Sequence, residues 1–389
     1  MTPKVLCVVG ARPNFMKAAP LLRALAESGR FQVRLLHTGQ HYDAALSRVF
    51  FDDLDMPRPD LQLETGSSSH AQQTAEILKQ FEPVLEREQP QVVVVVGDVN
   101  STIACALATA KFQLDPEEQF TWKFGRRRRP VIVHVEAGLR SFDDEMPEEI
   151  NRRLTDAISD LLFVSDPAGV ANLRKEGVPD ERVFFVGNVM IDTLFAARER
   201  AMESGVMARL GLREKEFALL TLHRPSNVDD PDTFRALLEV LDGLAGRVAP
   251  LVFPVHPRTR TRLESIGARL DPARWLVTGP LGYLDFLNLE ALARIVITDS
   301  GGVQEETTIL GVPCITLRQN TERPATVSEG TNVLAGNEKQ TILSAFDRAM
   351  NGTHGRRVPP FWDGQAARRM EQVLTDVFDP GSGPAGARR

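Results

Sequence analysis

Cysteine is scarce in this chain. Its 3 thiols, Cys7, Cys105 and Cys314, stand singly in apolar surroundings. That spacing excludes a disulfide framework and a cysteine-based metal site, and it fits a reducing compartment. No apolar run reaches the length that a membrane span needs, and no signal peptide is expected ahead of Pro3, so a cytoplasmic protein without a membrane partner is expected. Positive charge is not in excess. The 46 Lys and Arg stand against 52 Asp and Glu, a net charge of −6, so nucleic acid is not an expected partner. One basic run, residues 126–129, falls in a turn-like stretch and reads as a solvated loop. Two phosphate signatures are missing as well. No Gly-x-Gly-x-x-Gly with an acid downstream occurs, so a tightly held dinucleotide is not indicated. No Gly-x-x-x-x-Gly-Lys-Ser/Thr occurs, which excludes a P-loop enzyme.

What is present alternates. The chain of 389 residues, 42% hydrophobic and 25% charged, suggests two globular domains. In the first half, apolar β-branched runs at 4–9, 31–36, 92–96, 131–135 and 160–165 read as strands, with helical stretches between them. In the second half, runs at 218–222, 251–255, 275–278, 295–297 and 314–317 repeat the pattern. Strand and helix in alternation mean a doubly wound parallel sheet. The expected fold is α/β, two Rossmann-like doubly wound domains facing across a cleft.

The strand ends carry the polar chemistry, where ligands gather in such sheets. Ile295-Val296-Ile297-Thr298-Asp299-Ser300-Gly301-Gly302 is a strand running into a Gly-Gly turn and then a helix. Ser300, Gly301 and Gly302 bring free N–H groups and a helix dipole to one place, which suits a diphosphate. Of Glu305 and Glu306, one carboxylate can reach the two hydroxyls of a ribose. Arg12 and Lys17 lie near another helix start, where the dipole alone does not favour cations and a phosphate would. His223 and His256 end two strands, each close to an arginine, which suits oxyanions. Arg323 lies in a later loop, and Phe286 either stacks on a base or fills the core.

Three acids remain. Asp98 follows five valines. Glu136 follows a buried valine strand, so it is either paired, with Arg140 the candidate, or functional. Glu148 follows Pro147 at a helix start, where an acid is favoured by the dipole in any case. Three carboxylates beside a diphosphate repel it, but they make sense as acids and bases acting on a sugar.

With these residues in hand, the sequence resembles the non-hydrolysing UDP-N-acetylglucosamine 2-epimerases from about Lys4 to the last helix. The matching motifs include Gly10-Ala11-Arg12-Pro13, Gly97-Asp98, the stretches 134–140 and 147–152, His223-Arg224, the stretch 299–306 and Thr321-Glu322-Arg323-Pro324. The resemblance implies an N-terminal domain at 1–186 with the acid/base carboxylates and a UDP-binding domain at 187–361. It also implies a helix at 362–379 packing back on the first, and a homodimer that needs neither metal nor NAD. The tail at 380–389 reads as disordered. The reaction implied is epimerisation at C2 of UDP-N-acetylglucosamine, through loss of UDP to a 2-acetamidoglucal and its re-addition. Asp98, Glu136, Glu148 and His223 are then the catalytic set. Arg12, Lys17, Ser300, Gly301 and Gly302 hold the diphosphate, Glu306 the ribose, Phe286 the uracil, and Arg323 a further part of the nucleotide.

The sequence departs from the family at Asn14, where many members carry Glu, at Val99-Asn100, in the stretch 66–74 and in an apparent insertion at 117–129. The changes after Arg12 and Asp98 leave room for a modified substrate such as a UDP-2,3-diacetamido uronic acid. The rivals are a glycosyltransferase on the same plan, which needs an acceptor surface and usually one base, and a nucleotide-sugar sensor, which needs none of the three acids.

Overall fold

The structure is a computed structural model that describes residues 2–40, 51–66, 68–248, 250–351 and 357–378. The tail at 380–389 and His41 lie outside the described residues. The chain forms two compact units. Unit 1 is Met1–Thr193 with Phe361–Arg389, and unit 2 is Leu194–Pro360.

In unit 1 the strands are β1 (Lys4–Val9), β2 (Gln32–His37), β3 (Leu61–Gln62), β4 (Val92–Val96), β5 (Phe120–Trp122), β6 (Gly125–Arg127), β7 (Val131–Ala137), β8 (Leu161–Val164) and β9 (Val183–Phe185). The helices are α1 (Arg12–Ser28), α2 (His70–Glu88), α3 (Asn100–Lys111), α4 (Pro147–Ile158) and α5 (Pro167–Lys175), and α6 (Val189–Met202) begins in unit 1 and continues into unit 2. Seven strands pair in parallel in the order β3-β2-β1-β4-β7-β8-β9. The valines of β4 are buried, as a strand covered on both faces requires. On one face Leu6, Val8, Val93 and Val95 pack with Phe81 and Leu85 of α2.

Unit 2 holds β10 (Ala218–Thr221), β11 (Leu251–Pro254), β12 (Trp275–Thr278), β13 (Ile295–Thr298), β14 (Cys314–Thr316) and β15 (Asn332–Leu334). Its helices are α7 (Val206–Leu210), α8 (Pro225–Val228), α9 (Pro231–Ala245), α10 (Pro257–Ser265), α11 (Tyr283–Leu292), α12 (Gly301–Leu310), α13 (Pro324–Ser328) and α14 (Lys339–Asn351). The sheet runs β12-β11-β10-β13-β14-β15 in parallel, the order of a Rossmann sheet. Its core joins Phe234, Leu241, Phe253, Ile297 and Phe346. The strand order reverses between β1 and β4 in unit 1 and between β10 and β13 in unit 2. Crevices at such reversals, outside the carboxyl ends of the strands, are where doubly wound sheets hold ligands.

Three features differ from the sequence reading. Residues 61–62, outside the strands read from the sequence, add an edge strand to β2. The insertion folds as the hairpin β5–β6, and its basic run is not simply a solvated loop. Arg127 and Arg129 both bind the Asp160 carboxylate, at 2.7 and 3.0 Å. That carboxylate also accepts the Ile132 amide, so a charge at the sheet edge is balanced by the run. Helix α12 begins at Gly301, so both glycines of the expected turn lie inside its first turn.

The chain returns to unit 1 as α15 (Ala366–Phe378). Phe378 stacks on Phe120 of the hairpin, with ring centroids 5.4 Å apart, and meets Phe31 edge-on. The first amides of α15 have no partners within the helix. Asp192 of α6 supplies them, accepting from Ala366 N at 3.2 Å and Ala367 N at 2.8 Å. Burial raises the Asp192 carboxyl to about 6, against the pull of those two amides. A raised folded pKa gives stability that is full at low pH and is lost as pH rises through it. Wild type should therefore lose up to about 3 kcal/mol relative to Asp192→Asn between about pH 4 and 6. Urea unfolding across that range checks this, and parallel curves would contradict it. Asp192→Ala, which strands both amides, should cost about 1–2 kcal/mol near pH 5.

Candidate active site

Unit 1 gathers its charged groups at the reversal between β1 and β4. The turn after β1 is closed by Asn14, whose Oδ1 accepts from Gly10 N and Ala11 N at 3.1 Å. Its Nδ2 donates to the Val96 carbonyl at 2.9 Å, tying the turn to the end of β4. An amide both accepts and donates, which a carboxylate at this position cannot do.

Glu136 sits where β7 bulges, the register slipping between Val135 and Ala137. Its φ of 71° is left-handed, an unfavourable place for a residue with a Cβ. The side chain is buried and ion-paired with Lys17 of α1, which is also buried. Both stand beside Gly97. A Cβ on that glycine would lie 3.4 Å from Lys17 Nζ and 3.5 Å from Glu136 Oε2. Lys17, read from the sequence as a phosphate contact, is thus the counter-ion of Glu136. The expected Glu136–Arg140 pairing does not form. Arg140 instead binds Asp156 and Glu176, each at 2.7 Å.

Asp98, the next residue after Gly97, accepts Arg152 Nη2 at 2.6 Å and Nε at 3.0 Å. Arg152 is held in turn by Glu149 at 2.6 Å. Glu149 also accepts the Ser141 and Phe142 amides, so it secures the loop into α4. Glu148 lies in the first turn of α4, half-buried, and has no hydrogen-bond partner among the described residues. Arg12 opens α1, and its side chain is outside what the structure describes.

Behind these acids runs a buried polar chain. His134 Nε2 lies 2.8 Å from the Gly97 carbonyl oxygen and Nδ1 lies 2.6 Å from an Asp156 carboxylate oxygen. Asp156 also accepts the Gly138 amide at 3.1 Å. Burial pushes the Asp156 carboxyl up, but His134 and Arg140 outweigh it and hold the group below its ordinary value. The chain fixes Gly97 against β7 and so sets where Asp98 begins.

In unit 2 the reversal lies between His223, after β10, and Ser300, after β13. Asp299 joins them. Fully buried, it accepts the His223 amide at 2.9 Å, the Arg224 amide at 2.8 Å and Asn227 Nδ2 at 3.2 Å. Its other oxygen lies 3.0 Å from His223 Nδ1. Burial alone would raise its pKa, yet His223 and the amides hold it low. An ionised Asp299 fixes the His223 ring with Nδ1–H inward and Nε2 outward. His256, by contrast, caps α10 by accepting the Arg258 amide.

Ser300 is the N-cap of α12, its side chain making no cap bond, and Gly301 and Gly302 open the helix. A Cβ on Gly301 would meet Glu322 Oε1 at 3.0 Å and Arg323 Nε at 3.2 Å. Arg323 pairs with Glu305 at 3.1 Å and Glu322 at 3.2 Å. Glu322 binds Arg318 at 2.8 Å and lies 4.0 Å from Arg224. Three guanidiniums therefore share two carboxylates beside the glycine turn, leaving a net positive charge. Arg224 Nε and Arg318 Nη1 are buried without an acceptor. Glu306 is buried and accepts the Tyr283 hydroxyl at 2.8 Å, and Phe286 of α11 packs partly exposed against the core.

Sequence reasoning missed Asp299, Arg152, Asp156 and Tyr283 as supports. A carboxylate directly after an apolar strand is the signal that singles out Glu136, and it applies equally to Asp299. Glu322 and Arg152 give no such signal.

Two Rossmann sheets, one with paired acids at its reversal and the other with a cationic glycine turn, define an α/β enzyme of the nucleotide-sugar class. The family model for UDP-N-acetylglucosamine 2-epimerase matches residues 23–117 and 120–375, and the chain belongs to that family. It is 38% identical to the UDP-N-acetylglucosamine 2-epimerase of Methanocaldococcus jannaschii, over 96% of this chain and 99% of that one. It is also 38% identical to the UDP-2,3-diacetamido-2,3-dideoxy-D-glucuronate 2-epimerase of Pseudomonas aeruginosa, over 96% of this chain and 100% of that one. The crystal structure of the Methanocaldococcus jannaschii UDP-GlcNAc 2-epimerase with UDP-GlcNAc and UDP superposes with a TM-score of 0.86, covering 96% of this chain and 99% of that chain.

Removing Lys17 leaves a buried carboxylate without its cation. Lys17→Met should cost about 3–5 kcal/mol of unfolding free energy. The double variant Lys17→Met with Glu136→Gln should recover most of it. Equal losses in the single and double variants, by chemical denaturation, would contradict the pairing.

Proposed function

We propose that the protein epimerises UDP-N-acetylglucosamine at C2 to UDP-N-acetylmannosamine. A base removes the C2 proton, the C–H electron pair forms the C1=C2 bond, and the C1–O pair leaves with UDP. The 2-acetamidoglucal turns, a proton returns to the opposite face of C2, and the UDP oxygen re-attacks C1. Atoms balance with no external redox partner.

The observation that carries this reading is the acid arrangement at one strand reversal. Asp98 follows Gly97 and Glu136 lies against that glycine, each acid held by its own cation, Arg152 and Lys17. A simple nucleotide holder gains nothing from two such acids. We assign acid/base roles to Asp98, Glu136 and Glu148 within residues 1–186. Residues 187–361 hold UDP, with the helix ending near 379 belonging to the first part. Ser300, Gly301 and Gly302 offer amides to the diphosphate, and His223 Nε2 faces it with Arg12 and Arg323 as further cations. Glu306 accepts the ribose hydroxyls, and Phe286 covers the uracil. The relative that crystallises with UDP-GlcNAc and UDP supports this choice of ligand. The reading extends to a homodimer working in the cytoplasm, as the family resemblance and the buried thiols suggest.

A second substrate keeps its place because of one observation: the diacetamido-uronate epimerase is as similar, at 38%, as the N-acetylglucosamine enzyme. Turnover of both sugars, side by side, separates the two.

Glu136→Gln tests the acid/base role. UDP affinity by calorimetry should stay within about threefold, while turnover falls by at least about a thousandfold, the upper part of the general acid–base range. Retained turnover with retained binding would remove Glu136 from the acid/base set. A second test uses Asp299→Asn, which keeps the shape but no longer fixes the His223 tautomer. It should lower kcat about a hundredfold or more and leave the KM nearly unchanged. An unchanged kcat would contradict the role given to His223.

A further inference from the structure

Unit 2 contains a buried acid that no cation balances. Glu290, on α11, is fully buried, and neither of its carboxyl oxygens has a donor aimed at it. The group in hydrogen-bond contact with it is the Glu306 carboxyl of α12. Glu306 has one donor besides, the Tyr283 hydroxyl at 2.8 Å. The other titratable group nearby is the buried Cys314 thiol of β14. Lys215 approaches the same end of α11 but spends its ammonium on the Ala291 and Ala293 carbonyls. Among the described residues no cation pairs with either acid.

Two carboxylates in contact, out of water and without counter-charge, do not both ionise. Two acceptors make a hydrogen bond only where one of them carries a proton. Tyr283 stabilises a charge on Glu306, and nothing stabilises one on Glu290. The shared proton therefore resides on Glu290.

We propose that Glu290 is a positioning residue: protonated, it donates to Glu306 and, with Tyr283, holds that carboxylate ionised and aimed at the two ribose hydroxyls of a uridine nucleotide. This rests on the reading of Glu306 as the ribose ligand. A carboxylate has about four lone-pair directions. Two inner donors occupy two and leave two for a vicinal diol.

The pH behaviour follows. Burial pushes Glu306 up to about 7, with Tyr283 and Glu290 opposing it, and burial pushes Glu290 well above the carboxylate range. The diol binds the ionised Glu306, so affinity falls as pH drops through about 7. Loss of the Glu290 donor moves that midpoint upward. Glu290, and below about pH 7 Glu306 as well, hold protons that an unfolded chain releases, so their contribution to stability declines as pH rises above the ordinary carboxylate range.

The test compares UDP with 2′,3′-dideoxy-UDP, by calorimetric titration of the full chain across pH. Titration of the phosphate is common to both ligands and cancels in the ratio of affinities. Wild type should prefer UDP, and the preference should fade below about pH 7. Glu290→Gln, which keeps an N–H donor, should retain the preference. Glu290→Leu should lose about tenfold of it near neutral pH, one hydrogen bond to a charged group, with the midpoint displaced upward. Wild type showing no preference would overturn the ribose role of Glu306 and the proposal with it. A wild-type preference that Glu290→Leu leaves unchanged in size and midpoint would overturn the proposal alone. Should Glu290→Leu fail to fold, infrared difference spectra of wild type against Glu290→Gln decide the matter. On the alkaline side of about pH 7, where Glu306 is ionised, the carbonyl stretch of a protonated carboxyl is expected in wild type and absent in the variant, and its absence from wild type would overturn the proposal.

Discussion

The ion pair between Glu136 and Lys17 is the contact on which the arrangement of unit 1 turns. A carboxylate on a left-handed residue, at a bulge in a buried strand, is costly twice over, in backbone strain and in desolvation. Lys17 offsets the second cost, and the bulge is what aims the carboxylate at Gly97 and the end of β4. Around the pair, each supporting contact serves to keep those strand ends in place. Asn14 ties β1 to β4, His134 ties β7 to Gly97, and Arg152 ties α4 to Asp98.

Unit 2 uses buried charge differently. Asp299 is neutral in effect, its charge spread over amide and imidazole donors, and it locks β10 to β13 where the sheet reverses. The arginines beside the glycine turn exceed their acids by one, so the turn offers both amides and residual positive charge to an anion. Glu306 stands apart from this network, among an acid and a phenol, insulated from the cations that would otherwise pair with it.

Much of this was legible in the residues. Strand-and-helix alternation, and β-branched runs such as Val92 to Val96, carry the doubly wound fold because parallel strands buried on both faces have few other compositions. The polar residues that end those strands mark the site for the same topological reason. What stayed hidden was partnership. Nothing local in the sequence says that Lys17 meets Glu136, that Arg140 meets Asp156 instead, or that Arg127 and Arg129 of a basic run meet Asp160. Those pairs lie far apart along the chain and depend on sheet order and helix placement. Short or edge elements were hidden for a related reason. β3 and the β5–β6 hairpin are only two or three residues per strand, too short for periodicity to register.

Epimerisation by this chain requires that the carboxylates of unit 1 act on the C2 proton of a UDP-sugar. Proton NMR of UDP-N-acetylglucosamine with the protein in D2O measures this directly. The predicted result is loss of the C2 proton signal together with the appearance of manno resonances, whose C2 carries deuterium. Appearance of the manno sugar with its original C2 proton retained would contradict proton exchange with solvent at C2. A spectrum unchanged for this sugar and for the 2,3-diacetamido uronate would contradict epimerisation itself.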